Sequence, residues 1–270
     1  MAWLQNYHTH TTHSDGENTV DETVQQAIAL GMTVIGFSDH SKNSWSLDYC
    51  MHDEAAYRAQ VAAAKKKYAQ DIAVLCGVEQ EWISGKPQGY DYVIGSVHLL
   101  KTPDGYRDVD YTAAIQRETA DAFFDGDFYR YTKAYFETVA TLNETVAPTV
   151  IGHFDLVAKF NQQEHLFNET DRRYLTPAIQ AIHTLCEKKG MVFEINTGAL
   201  PRGARRTPYP APVFLREINK AGGKILFSSD SHAAKTLLYG GDAMKQAAAA
   251  AGFRSRVIIN AHGELEEVAL

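Results

Sequence analysis

Two histidines one residue apart, followed by a carboxylate on a glycine turn, stand near the start of the chain in His8-Thr9-His10-Thr11-Thr12-His13-Ser14-Asp15-Gly16. Side chains alternate along an extended segment, so His8 and His10 face the same way. Two imidazoles on one face with a carboxylate close by are a candidate metal-ligand group. The same chemistry recurs at the ends of short apolar runs: Ser38-Asp39-His40, Gly77-Val78-Glu79-Gln80-Glu81, Gly95-Ser96-Val97-His98, Gly152-His153-Phe154-Asp155 and Ser228-Ser229-Asp230-Ser231-His232.

These groups can act together only if the elements carrying them converge. Residues 4–7, 33–37, 72–78, 92–97, 149–151, 191–195 and 224–227 have strand character. Several are apolar on both faces, as buried parallel strands are. Helical stretches lie between them. Thr19-Val20-Asp21-Glu22 forms a capping box for a helix ending at Gly31. Residues 54–67, 111–124, 129–145, 170–189 and 212–221 read as further helices, the last two stopped by Gly190 and Gly222-Gly223. The alanine run 247–251 belongs to another. This alternation predicts an α/β protein with a parallel sheet: a barrel of seven or eight strands in one domain spanning residues 1–270, or a doubly wound open sheet.

In a barrel the C-terminal strand ends share one rim. His8, His10, Asp15, His40, Glu79, His98, His153, Asp230 and His232 would then meet there. Asp39 and Asp155 read as partners of those ligands or as helix caps. Nitrogen and oxygen donors without cysteine suit Zn²⁺, Mn²⁺ or Fe²⁺. The pool is too large for one ion and fits two or three bridged by a carboxylate, an arrangement that favours phosphoryl chemistry.

The formal net charge of −7 argues against a nucleic-acid binder, while leaving room for a small phosphorylated substrate. No apolar run is long enough for a membrane span, and the chain reads as having no secretory signal. Cys50, Cys76 and Cys186 are widely spaced and form no CxxC pair, which points to a reducing cytoplasm. Nothing in the sequence sets an oligomeric state.

The HxHxxxxDG opening, the histidine of Ser38-Asp39-His40, the glutamate of Gly77-Val78-Glu79, then His98, Gly152-His153 and Asp230-Ser231-His232 together resemble the PHP (polymerase and histidinol phosphatase) family, in the family's order. The resemblance implies a distorted (β/α)7 barrel, PHP/TIM-like, with a trinuclear divalent-metal centre at the C-terminal strand ends. It assigns one metal to His8, His10, Glu79 and Asp230, a second to Glu79, His98 and His153, and a third to Asp15, His40 and His232, with Glu79 as the bridge. Length and the lack of an obvious second domain are most similar to PHP-type histidinol-phosphate phosphatases. The implied reaction converts L-histidinol phosphate and water to L-histidinol and phosphate, a step of histidine biosynthesis, with a hydroxide shared between metals as nucleophile. The alternatives are a family phosphodiesterase, exonuclease or nucleotide phosphatase, and a non-catalytic metal-binding regulatory module.

A phosphate also needs cationic donors. The segment from Asn196 to Arg206 has two glycines and carries Arg202, Arg205 and Arg206, any of which could clamp the phosphate, with Arg202 and Arg205 the expected substrate contacts. The resemblance supports an arginine in this loop. His232 and Asp230 are candidate proton donors to the leaving alkoxide, with His13 ranked below them. Trp45 and Tyr49, in the loop after His40, are candidates to touch a substrate ring, and Glu81 to meet a substrate amine.

Overall fold

The short apolar runs pair side by side in parallel. A computed structural model describes residues 3–270. In chain order the elements are β1 (Gln5–Asn6), α1 (Val20–Ala29), β2 (Val34–Phe37), α2 (Glu54–Lys67), β3 (Ala73–Glu81), β4 (Tyr92–Ser96), β5 (Leu99–Thr102), β6 (Gly105–Asp108), α3 (Ala113–Phe123), α4 (Phe128–Ala140), α5 (Leu142–Thr145), β7 (Val150–Ile151), α6 (Asn161–Glu164), α7 (Arg172–Cys186), β8 (Val192–Asn196), α8 (Pro212–Lys220), β9 (Lys224–Ser228), α9 (Gly241–Ala250), β10 (Ser255–Ile259) and β11 (Leu265–Ala269). Seven strands form one sheet in the order β1-β2-β3-β4-β7-β8-β9, every neighbouring pair parallel. The two edges meet just beyond β1 and β9, where the His10 amide donates to the Ser231 carbonyl at 2.9 Å and the Ser231 amide to the His8 carbonyl at 3.0 Å. The architecture is therefore a nearly closed, distorted (β/α)7 barrel, and the open-sheet alternative is excluded.

The period-two alternation of the strands sorts their side chains. Val34, Leu75, Tyr92, Ile94, Val150, Val192 and Leu226 share one buried cluster inside the barrel. Counting two residues at a time from these leads to Ser38 and His40 after β2, Glu79 and Glu81 on β3, Ser96 on β4 and His98 beyond it, Glu194 and Asn196 on β8, and Ser228 on β9 and Asp230 beyond it. The interior thus passes from apolar to ionisable along β2, β3, β4, β8 and β9. The intervening residues, among them Phe37, Val78, Phe193, Ile195 and Phe227, face outward. There they pack with α1 and α2 on one side and with α4, α7, α8 and α9 on the other.

Tyr92 occupies the middle of the barrel, its hydroxyl donating to the carbonyls of Tyr7 and Phe37. Gly36 and Gly77 make room for it, since a Cβ at either would lie 2.5 Å or 2.3 Å from that side chain. The antiparallel hairpin β10–β11 closes the N-terminal end: Val257 and Ile259 join the interior cluster, and the Tyr7 hydroxyl donates to the Ile259 carbonyl at 2.9 Å.

Side-chain caps start five of the helices, the first of them as the sequence predicts. Thr19 and Glu22 form the capping box of α1, and Asp53, Thr112, Asp127 and Asp171 cap α2, α3, α4 and α7. The helix expected over residues 129–145 is two, α4 and α5, joined at Thr141. Among the described residues, no helix is long and apolar enough to cross a membrane.

Candidate metal centre

The C-terminal strand ends bring all nine candidate ligands to one mouth of the barrel. Glu79 sits at the middle with its two oxygens facing different partners. Oε2 lies 3.2 Å from His8 Nε2, 3.6 Å from His10 Nε2 and 2.9 Å from His40 Nδ1. Oε1 lies 2.9 Å from His153 Nε2 and 3.3 Å from His98 Nε2, and these two nitrogens are 3.2 Å apart. Asp230 Oδ1 is 3.3 Å from His10 Nε2 and 3.7 Å from His8 Nε2. Nearer solvent, Asp15 is 3.2 Å from His232 Nε2 and 3.7 Å from both His40 Nε2 and His10 Nδ1. His10 and His40 therefore each face two groups of donors.

Glycines permit this crowding. A Cβ on Gly16 would strike the His10 carbonyl at 2.5 Å, so the turn that presents Asp15 folds only with glycine. A Cβ on Gly152 would meet Ser96 Oγ at 2.3 Å, and that hydroxyl donates to Glu79 Oε1 at 2.7 Å. A Cβ on Gly198 would fall 2.6 Å from Asp230 Oδ2. Asp230 itself has φ 49°, a left-handed conformation that costs energy outside glycine and aims its carboxylate into the cluster.

The electrostatics are those of a pooled set of opposite charges. Burial opposes ionisation of Glu79, yet the His8, His40 and His98 rings hold its carboxyl well below the usual range. Asp230 is likewise held well down against burial, by His8, His10 and His232. Burial pushes the His10 ring down to about 3, and the neighbouring His232 and His40 rings add to that. His8 goes the other way: Glu194, Glu79 and Asp230 outweigh its burial and raise it.

The donor set fits divalent cations. Among the described residues, His8 Nε2, both ring nitrogens of His10 and Glu79 Oε2 are buried with no hydrogen-bond partner. Each such atom left unmet costs about 1–3 kcal/mol. A tetrahedral shell with ligands about 2.0–2.1 Å from its centre has donor–donor edges of about 3.3 Å. Separations of 3.2–3.3 Å occur between His8 and Glu79, His10 and Asp230, His98 and Glu79, and His232 and Asp15.

Buried carboxylates orient the rings from behind. Glu194 accepts from His8 Nδ1 at 2.9 Å, the His153 amide at 2.6 Å, Asn196 Nδ2 at 2.8 Å and Ser228 Oγ at 2.5 Å. Sequence reasoning missed Glu194. Its signal was an ionisable residue inside an otherwise apolar parallel strand, at the spacing of Val192 and Asn196. Asp39 holds the His8–Asp15 loop, accepting from the Thr11 amide at 2.8 Å and Ser14 Oγ at 2.6 Å.

Four expectations for substrate contacts need correction. Glu81 does not reach toward a substrate: it is 4% exposed, lies 2.8 Å from His98 Nδ1 and accepts from the His98 amide, so it orients that ring. Arg205 is 3% exposed, stacks over Tyr209 and faces Asp155 at 3.5 Å, which makes it part of the core. His13 turns away to Gln60 at 2.7 Å, against the Tyr57 ring. Trp45 packs on Tyr106 outside the site, and its loop neighbour Tyr49 lines the cavity instead.

Above the cluster opens a cavity of about 180 Å³, with Arg202 and Lys159 in its wall. Arg202 Nε donates to the Gly198 carbonyl at 3.0 Å, and the guanidinium end lies 3.8 Å from Asp230. Lys159, also missed, follows the His153 strand end by a single turn of 3₁₀ helix (Leu156–Ala158), a connection too short to betray its direction in sequence.

The model of the PHP domain family matches residues 6–198. Seven of the nine clustered residues lie within that span, and Asp230 and His232 lie beyond it. A Schizosaccharomyces pombe protein named "Probable histidinol-phosphatase" is 25% identical over 247 residues, covering 82% of this chain and 76% of that one. An uncharacterised Methanocaldococcus jannaschii protein is 36% identical over 81 residues, 30% of this chain and 34% of its own length. The crystal structure of a Lactococcus lactis histidinol phosphate phosphatase complexed with zinc, L-histidinol and phosphate has the same fold. Its TM-score is 0.74 at 20% identity, covering 98% of this chain and 100% of that chain.

Proposed function

The chain belongs to the PHP domain family, and on that premise we propose that it is a metal-dependent phosphomonoester hydrolase, one domain of residues 1–270, that converts L-histidinol phosphate to L-histidinol and phosphate. The observation that carries this reading is the convergence of nine nitrogen and oxygen donors, four of their atoms buried and unmet, beneath a cavity walled by Arg202 and Lys159. The names of the S. pombe relative and of the L. lactis enzyme, with the latter's ligands, support the substrate.

His8, His10, Glu79 and Asp230 would hold one divalent cation, Glu79, His98 and His153 a second, and Asp15, His40 and His232 a third, with zinc, manganese or iron as the candidates. Such cations supply Lewis acidity toward a phosphoryl group and bring the pKa of water near neutrality. The protein's own groups do the rest. Arg202 and Lys159 neutralise the phosphate, Arg202 with a fork suited to two oxygens. Glu194 and Glu81 fix the His8 and His98 rings so that the nitrogens facing Glu79 carry lone pairs. Of the three candidate proton donors, His13 is engaged by Gln60 away from the cluster, and the carboxyl of Asp230 is held well down by the surrounding histidines. That leaves His232, on the cavity wall, to protonate the departing oxygen. The three free cysteines suit a reducing, cytoplasmic setting.

Purified protein loaded in turn with zinc, manganese and ferrous iron should release phosphate from L-histidinol phosphate far faster than from nucleotides, and should leave single-stranded DNA intact. Cleavage of nucleotides or DNA with no turnover of histidinol phosphate would remove the substrate assignment. Tight metal binding with no hydrolysis of any ester would favour a binding module.

A further inference from the structure

The cavity above the metal cluster has an anionic wall as well as a cationic one. Lys159 Nζ donates to Asp110 Oδ2 at 2.7 Å and to the Asp110 carbonyl at 2.8 Å. An ammonium has three N–H groups, so one remains for a phosphate oxygen. Asp110 Oδ1 makes no hydrogen bond among the described residues, and Asp110 lines the cavity beside Tyr111 and Tyr49. Burial works against the Asp110 charge, yet the Lys159 ammonium and the His98 ring hold its carboxyl down at about 2. An ionised carboxylate thus stands next to the place where a phosphate dianion must settle. Two like charges so close are costly unless a cation separates them. The protein offers Arg202 and Lys159 to the phosphate, and Asp110 Oδ1, which Lys159 leaves free, is open to a cation carried by the substrate.

We propose that Asp110 is a specificity residue: its free carboxylate oxygen receives a protonated amine on the alcohol part of the ester, so that the Asp110–Lys159 pair reads a substrate carrying phosphate and ammonium together. This rests on the phosphomonoesterase reading above and adds to it the residue that would recognise the amine of the leaving group. Tyr49 and Tyr111 supply ring faces on which a cationic or aromatic group can lie. A phosphate ester of the same shape without the amine leaves Asp110 Oδ1 facing the leaving group without a donor, and the enzyme should reject it.

The test compares L-histidinol phosphate with 3-(imidazol-4-yl)propyl phosphate, which lacks only the amine, using metal-loaded wild-type, Asp110→Asn and Asp110→Ala proteins. Metal content and circular dichroism check that each variant is folded. The ratio of kcat/KM for the amine ester to that for the amine-free ester should fall at least tenfold in both variants, mainly through KM. Inhibition by free L-histidinol should weaken at least tenfold, while inhibition by inorganic phosphate changes less than threefold. An equal loss for both esters would overturn the proposal, because Asp110 would then act only by placing Lys159. No loss for either would overturn it as well. Wild-type protein that hydrolyses neither ester would bring down the phosphatase reading itself, an outcome distinct from the other two.

Discussion

Replacing Glu194 with glutamine preserves shape and removes one acceptor, and the consequences can be worked out bond by bond. Oε1 accepts from the His153 amide and Asn196 Nδ2, and Oε2 from His8 Nδ1 and Ser228 Oγ. A glutamine has one oxygen and one NH₂. The His153 amide cannot become an acceptor, and Asn196 is locked because its oxygen accepts from the Gly198 amide at 2.8 Å. The new NH₂ must therefore turn to His8 and Ser228. The serine hydroxyl can rotate to accept. His8 Nδ1 can accept only if its proton moves to Nε2, the nitrogen 3.2 Å from Glu79 Oε2, and a protonated Nε2 cannot bind a cation. Loss of such an orienting partner costs about 10–100-fold in metal affinity, equivalent to about 1.4–2.7 kcal/mol. Chelator competition with zinc on the purified Glu194→Gln variant would measure it, and turnover should recover in part at saturating metal. A folded variant whose zinc affinity stays within twofold of wild type would refute the reasoning, because His8 would then owe nothing to Glu194.

Four further outcomes are expected. Gly198→Ala should displace the Asp230 carboxylate, since the new Cβ would lie 2.6 Å from Oδ2; bound metal per chain, read by elemental analysis, should fall while the thermal transition moves little. Arg202→Ala should lower kcat/KM about 100-fold with metal retained, whereas Arg205→Ala should cost about 3–5 kcal/mol of stability by denaturant unfolding, because it strips the buried Asp155 carboxyl of its cation. Burial pushes the thiols of Cys76 and Cys186 up to about 12 and about 11. Both are protonated at pH 8, so iodoacetamide should label them slowly in native protein, with rates rising only as pH approaches those values, and quickly once the protein is unfolded.

The barrel was legible because its strands are short, buried on both faces and bounded by glycines, so that even the two-residue β7 announced itself in Thr149-Val150-Ile151. The rim was legible for a related reason: ionisable residues directly after an apolar run have nowhere to go but the strand's end. What sequence hid was direction. Arg202, Arg205 and Arg206 look alike in a loop with two glycines, and only the fold turns Arg202 to the cavity and Arg205 into the core. Glu81 has the parity of Glu79 and so points inward as well, but its carboxylate is consumed by His98. The hairpins β5–β6 and β10–β11 escaped because the second strand of each lacks a buried apolar run: β6 carries Arg107 and Asp108, and β11 carries Glu266 and Glu267 and is mostly exposed. Lys159 and Asp110 are far apart in the chain, and nothing in either neighbourhood foretells their pairing.

Tyr92 and the β10–β11 hairpin leave the vessel blind at its lower end, with Tyr7, Tyr92, Leu226, Val257 and Ile259 all 2% exposed or less. Among the described residues, the way in and out of the cluster is then the cavity walled by Arg202 and Lys159. For the hydrolysis proposed here, an alcohol lodged near that opening has to depart before a phosphate seated deeper down. Inorganic phosphate would be the last product out and should compete with incoming ester, while the alcohol should not trap phosphate beneath it for long.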